Sequence, residues 1–147
     1  MEVSNQNQNF HIIGENATNV LSAFQGKHLI LELYGCNSEK LNDELFLRCK
    51  ISSAAKLANA TVLNLISNKF EPYGVTAIAL LAESHLSIHT WPESNYSAID
   101  IFTCGENMQP YAASSFLIDN LEASDHILKT INRDYPTCVE NQVRRSL

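Results

Sequence analysis

Positive charge is scarce in this chain. Ten Lys and Arg stand against 16 Asp and Glu, a formal net charge of −6 at pH 7. That balance argues against the phosphate-binding surface a nucleic-acid partner requires. No apolar run approaches the roughly 20 residues of a membrane span, so no membrane partner is expected. Residues 1–9 are polar and lack a basic start followed by an apolar stretch, so no secretory signal is expected. There is no C-x-x-C pair. Cys36, Cys49, Cys104 and Cys138 are widely spread, which suits reduced thiols and a cytoplasmic location. A Gly-x-Ser-x-Gly elbow is missing, which disfavours a serine hydrolase. What remains is 147 residues, 45% of them hydrophobic, enough for one compact core.

Residues 1–25 read as a leader, partly disordered and Asn/Gln-rich at first, with Phe10-His11-Ile12-Ile13 and room for a short helix over 16–24. The domain is expected over 26–135, with a polar tail over 136–147. Residues 28–34 are apolar and end at Gly35, the pattern of a buried strand. Asn37 or Ser38 suits an N-cap, and Glu39 and Glu44 suit a helix start. Leu41, Leu45, Ala54, Ala55, Leu57 and Ala58 then predict one amphipathic helix reaching about residue 59. Strands are predicted over 61–70 and 75–82, parted by the turn Glu71-Pro72-Tyr73-Gly74. A third covers 84–90, and after the turn 91–95 a fourth covers 96–104. Pro110 suits the first position of a helix running to about residue 123, and 125–134 reads as the last strand. The short links favour antiparallel pairing. The expected fold is α+β: a two-layer α/β sandwich, mainly antiparallel sheet with two helices on one face.

The densest chemistry lies in Ala82-Glu83-Ser84-His85-Leu86-Ser87-Ile88-His89-Thr90-Trp91-Pro92-Glu93 and in Asp100-Ile101-Phe102-Thr103-Cys104-Gly105. Strand alternation puts Ser84, Leu86 and Ile88 on one face and His85, Ser87 and His89 on the other. A hairpin centred on Ser94 would set Ser84 opposite Cys104, and directly opposed residues share a face. His89 then faces away from Ser84 unless the chain breaks at that serine. Taken alone, Ser and His in a strand are ordinary structure, and Trp91 and Phe102 are ordinary core residues. His85-x3-His89 is a helix spacing, so no metal is expected.

Phe70-Glu71-Pro72-Tyr73-Gly74-Val75, the segment 83–93 and the segment 100–105 together closely resemble the small prokaryotic S-adenosylmethionine decarboxylase proenzymes, in the same order and spacing. The likeness runs from about residue 26 to 128. It implies self-cleavage between Glu83 and Ser84, with Ser84 becoming a pyruvoyl cofactor that forms a Schiff base with the substrate. It implies His89 as the processing base, Cys104 as the proton donor to the substrate α-carbon, and Thr76 as a processing hydroxyl. Phe70 would stack on adenine near the sulfonium, and Glu93 would bind the ribose hydroxyls. The implied partners are S-adenosylmethionine and a second copy of the chain, with two sites between protomers, and the product would feed spermidine synthesis. These roles suit the residues. Imidazole titrates near neutrality, an aromatic face attracts a sulfonium, and a carboxylate accepts two hydroxyls.

Two positions depart from the family pattern. Thr76 stands where Ser is frequent, and Ser94-Asn95 stand where an aromatic and a Gly are common. Two other functions compete: the same machinery acting on ornithine or arginine, and an uncleaved, non-catalytic regulatory homologue. Phe70 and Glu93 favour the adenosyl substrate over the amino acids. Ser84, His89 and Cys104 together argue against the regulator, which has no chemical need for all three.

Overall fold

A computed structural model of the protein describes residues 25–134. The expected leader helix, the polar tail and Cys138 lie outside the described residues. Six strands form one sheet: β1 (Gln25–Tyr34), β2 (Val62–Lys69), β3 (Val75–Leu81), β4 (Ser84–Trp91), β5 (Tyr96–Cys104) and β6 (Asp125–Asp134). Their order is β2-β3-β4-β5-β1-β6, and every pairing is antiparallel. The first strand of the sequence thus sits between the last two, and the short links account for the run β2-β3-β4-β5.

Alternation sorts each strand into two faces. Leu29, Leu31, Leu33, Ala77, Ala79, Leu86, Ile88, Ile99 and Ile101 point to the helices and are buried. They pack on Leu47, Ile51, Ala54 and Ala55 of one helix and on Ala113 and Leu117 of another. This is the predicted two-layer α+β sandwich. Ile101→Ala, at a wholly buried central position, should cost about 2–5 kcal/mol from lost burial and the cavity left behind. Denaturant unfolding of the variant measures it.

The first helical segment differs from the prediction of one helix. It divides into α1 (Ser38–Leu41) and α2 (Glu44–Leu57). The sequence holds two caps where one was read. Asn37 accepts from the Glu39 and Lys40 amides, and Asp43 accepts from the Phe46 amide at 2.9 Å. The Leu41 carbonyl, freed from helical bonding, accepts from the buried Thr90 hydroxyl at 2.8 Å. That contact ties α1 to β4 beside the next turn. The last helix, α3 (Pro110–Asn120), starts at Pro110 as predicted but ends short of residue 123, where Glu122 takes φ +56°.

Among the described residues no helix covers the opposite face of the sheet. Here Ile66, Ile78, Leu80, Trp91, Ile127 and Ile131 are exposed, among polar residues of β1, β4 and β5. Trp91, expected to open the turn, instead ends β4 and is 42% exposed, because the odd positions of β4 face away from the helices. Among the described residues no helix is long and apolar enough to cross a membrane.

Candidate active site

The open face carries the chemistry, gathered at the two ends of β4. At its start, Ser84 pairs with Thr103 and not with Cys104. The expected register was off by one residue. Trp91 pairs with Tyr96 and leaves an even-numbered loop, so the hairpin axis falls between Glu93 and Ser94. That loop is a 3-10 turn, Pro92–Ser94, closed by Asn95 at φ +52°. Asn tolerates this left-handed conformation better than most side chains. The Asn95 side-chain Nδ2 also donates to the Cys36 carbonyl at 2.8 Å.

In a regular strand this register would send the Ser84 side chain to the helix side, beside the buried Thr103. Instead Ser84 takes φ +146°, and its hydroxyl lies on the open face 3.7 Å from Cys104 Sγ. The expected meeting of hydroxyl and thiol therefore holds, through a backbone break and not through direct pairing. A positive φ at a residue with a Cβ costs of order 1–3 kcal/mol and persists only where its surroundings hold it. Those surroundings are visible. The Cys104 amide donates to the Glu83 carbonyl at 3.0 Å, and the Ala82 amide donates to the Thr61 carbonyl at 3.0 Å. The Glu83 carboxylate accepts from the Thr61 amide at 2.9 Å. The Glu83 side of the Glu83-Ser84 peptide is pinned, and its carbonyl is already polarised by a donor.

At the far end of β4, His89 Nδ1 lies 2.9 Å from the Thr76 hydroxyl, with the donor set by the imidazole tautomer. The two residues are direct partners across β3 and β4. The His89 ring lies 6.4 Å from that of Trp91, which stacks 5.2 Å from Tyr96. The Tyr96 phenol donates to the Glu32 carboxylate. Burial first, and then that carboxylate, push the phenol up to about 12, so it stays protonated as a donor. Phe70 follows β2, on the face of Asn68 and Thr76 by alternation, and half of its surface is exposed. Glu93 is exposed on the 3-10 turn and borders a cleft of about 280 Å³ with Ser38, Glu39, Asn42, Tyr73 and Pro92.

Ser84 and His89 are five strand residues apart, roughly 16 Å at ~3.3 Å each, more than an imidazole spans. The expected site residues thus separate into two groups: Glu83, Ser84 and Cys104 at one end, Phe70, Thr76, His89 and Glu93 at the other. By the same spacing His85 and His89 are ~13 Å apart, too far to share one ion.

Polar pairs that no local motif marks lie between the two ends. His28 Nε2 lies 3.0 Å from the Asp100 carboxylate, and the Ser87 hydroxyl donates to the same carboxylate at 3.5 Å. These partners are 72 residues apart in the chain in the first case, so only cross-strand register could have found them.

Comparison with known proteins bears on this geometry. The family model described as S-adenosylmethionine decarboxylase matches residues 27–134. The chain is 57% identical over 119 residues to the S-adenosylmethionine decarboxylase proenzyme of Prochlorococcus marinus (strain MIT 9313), covering 81% of this chain and 95% of that one. It is 44% identical over 109 residues to the proenzyme of that name from Caldicellulosiruptor saccharolyticus, covering 74% and 87%. The crystal structure of the adenosylmethionine decarboxylase from Aquifex aeolicus VF5 superposes with a TM-score of 0.73 at 33% identity, over 81% of this chain and 98% of that one. With a family match across the whole described domain and relatives of this identity, the chain belongs to the S-adenosylmethionine decarboxylase family.

Proposed function

We propose that the protein cleaves itself between Glu83 and Ser84 and then, as a homodimer, decarboxylates S-adenosylmethionine, the product serving as aminopropyl donor for spermidine synthesis. The observation that carries this reading is Ser84 itself: a hydroxyl on a strained backbone, beside the Cys104 thiol, next to a carbonyl held by the Cys104 amide. Ser84 Oγ attacks the Glu83 carbonyl carbon, the C–N bond breaks and an ester replaces the amide. The Cys104 amide stabilises the oxyanion formed on the way. A base removes the Ser84 α-hydrogen, and the Glu83 carboxylate leaves. The residual enamine shifts to an imine, water hydrolyses it, and ammonia departs. The pyruvoyl ketone so formed supplies a carbonyl that condenses with the substrate amine and takes up the electrons left by carbon dioxide.

His89 suits the base. With its proton on Nδ1 the ring donates to Thr76 Oγ1, and the Nε2 lone pair is free. Its distance from Ser84 within one chain leads to the partner. A twofold axis lying in the plane between two open faces, perpendicular to β4, stacks the His89 end of one protomer on the Ser84 end of the other. The exposed apolar side chains of that face favour such a cover. Its His28–Asp100 and Tyr96–Glu32 pairs limit the desolvation cost, since the Asp100 and Glu32 carboxylates each bring a partner. Cys104 then donates the proton to the substrate α-carbon, and Phe70 and Glu93 hold the adenosine from the other protomer.

Carbon dioxide release from carboxyl-labelled S-adenosylmethionine, ornithine and arginine tests the reading. Phe70→Ala and Glu93→Gln should each raise KM for S-adenosylmethionine about tenfold, for a contact of ~1–2 kcal/mol. Turnover of ornithine or arginine by the wild type, with none of S-adenosylmethionine, would replace the substrate assignment.

A further inference from the structure

A single row crosses the open face at the Ser84 end: Cys104 on β5, Gly26 on β1 and Arg133 on β6 are aligned partners. Two strand spacings put the Arg133 Cα about 10 Å from that of Cys104, within the span of an arginine side chain and a small ligand. The middle position has to be glycine. A Cβ there would stand 2.9 Å from the Arg133 carbonyl oxygen and 3.0 Å from Phe102 Cε2. The Phe102 ring occupies the gap instead, and Arg133 Cζ lies 4.3 Å from the ring centroid. Phe102 shares the face of Cys104, two residues along the strand. The guanidinium is therefore held over an aromatic shelf at the same end of the face as the thiol.

Stacking uses the guanidinium face and leaves its N–H edge for other partners. Among the described residues no carboxylate lies within ion-pair distance of it. The other cations of this region are placed elsewhere. His28 is paired with Asp100, Lys27 lies over the Tyr111 ring, and Lys129 sits four strand residues away on the same face, ~13 Å.

We propose that Arg133 receives the α-carboxylate of the substrate. This rests on the decarboxylase reading above, in which the amino-acid end of the substrate meets Ser84 and Cys104. A fork of donors fits a carboxylate in one plane. Held from the β6 side, the scissile carbon–carboxylate bond is fixed in orientation relative to Cys104, which protonates the same carbon afterwards. Arg133 is thus a specificity-determining residue for substrates bearing a carboxylate.

Full-length protein carrying Arg133→Met, Arg133→Lys or, as a charge-matched control, Lys129→Met is first checked on denaturing gels for self-cleavage. Initial rates with S-adenosylmethionine are then compared with inhibition by its decarboxylated product, which lacks the carboxylate. Arg133→Met should lower kcat/KM 30-fold or more and leave the product's inhibition constant within twofold. Arg133→Lys should fall between, and Lys129→Met should match wild type. Equal weakening of substrate and product, or no change in kcat/KM, overturns the proposal. If Arg133→Met does not fold, the carboxamide analogue of the substrate decides on wild type: binding as tight as the acid's overturns it, and clearly weaker binding supports it. A wild type that releases no carbon dioxide from S-adenosylmethionine removes the decarboxylase reading itself, and this inference with it.

Discussion

Ser84→Ala should leave a single 16.4 kDa chain under conditions where the wild type yields fragments of roughly 9 and 7 kDa, estimated from chain length. Alanine keeps a Cβ, so the strained backbone at this position is little changed, but the attacking oxygen is gone. No neighbouring group replaces it in order. The Cys104 thiol is on the right face, yet it cannot form the five-membered transition geometry available to an oxygen on the scissile residue itself. In the wild type the smaller fragment should resist Edman degradation, because a ketone stands where an amine would be. A wild-type chain that stays whole after long incubation sinks the self-cleavage reading. Full cleavage of Ser84→Ala would move the chemistry to another residue.

Co-expression of Ser84→Ala with His89→Ala should restore cleavage that neither variant shows alone. In a mixed dimer one site receives an intact Ser84 from one protomer and an intact His89 from the other. The second site lacks both. With random pairing about half of the dimers are mixed and one chain of each is cut, so about a quarter of all chains should be cleaved. If His89 acts on its own Ser84, the mixture should show no more cleavage than the two variants apart. Sedimentation of the wild type as a monomer with full activity would contradict the shared site as well. The ~16 Å between the two ends of β4 is the physical basis of this expectation.

Much of the fold was legible in the chain. Alternation in Tyr96–Cys104 marked that strand to the residue, and Pro110 marked the start of α3. The break between α1 and α2 was not seen, because Asp43 reads equally well as an exposed helical residue until Thr90 takes the Leu41 carbonyl. Trp91 reads as a turn residue beside Pro92, whereas it pairs with Tyr96 as the last residue of β4.

The local sequence by itself determined which residues meet across short links and which chemical groups are present. Alternation sets the faces of each strand, the caps and turn residues set its ends, and the motifs around Ser84 and Cys104 name the family. Only the tertiary structure decided the register of the β4–β5 hairpin, which a loop one residue longer or shorter would invert. It alone turned Ser84 to the open face, since a positive φ at a serine depends on the hydrogen bonds that Thr61 and Cys104 supply from distant strands. It alone brought Arg133 into line with Cys104 through Gly26. Those relations join residues far apart in the chain. They arise from the order in which strands pair, which local periodicity does not encode.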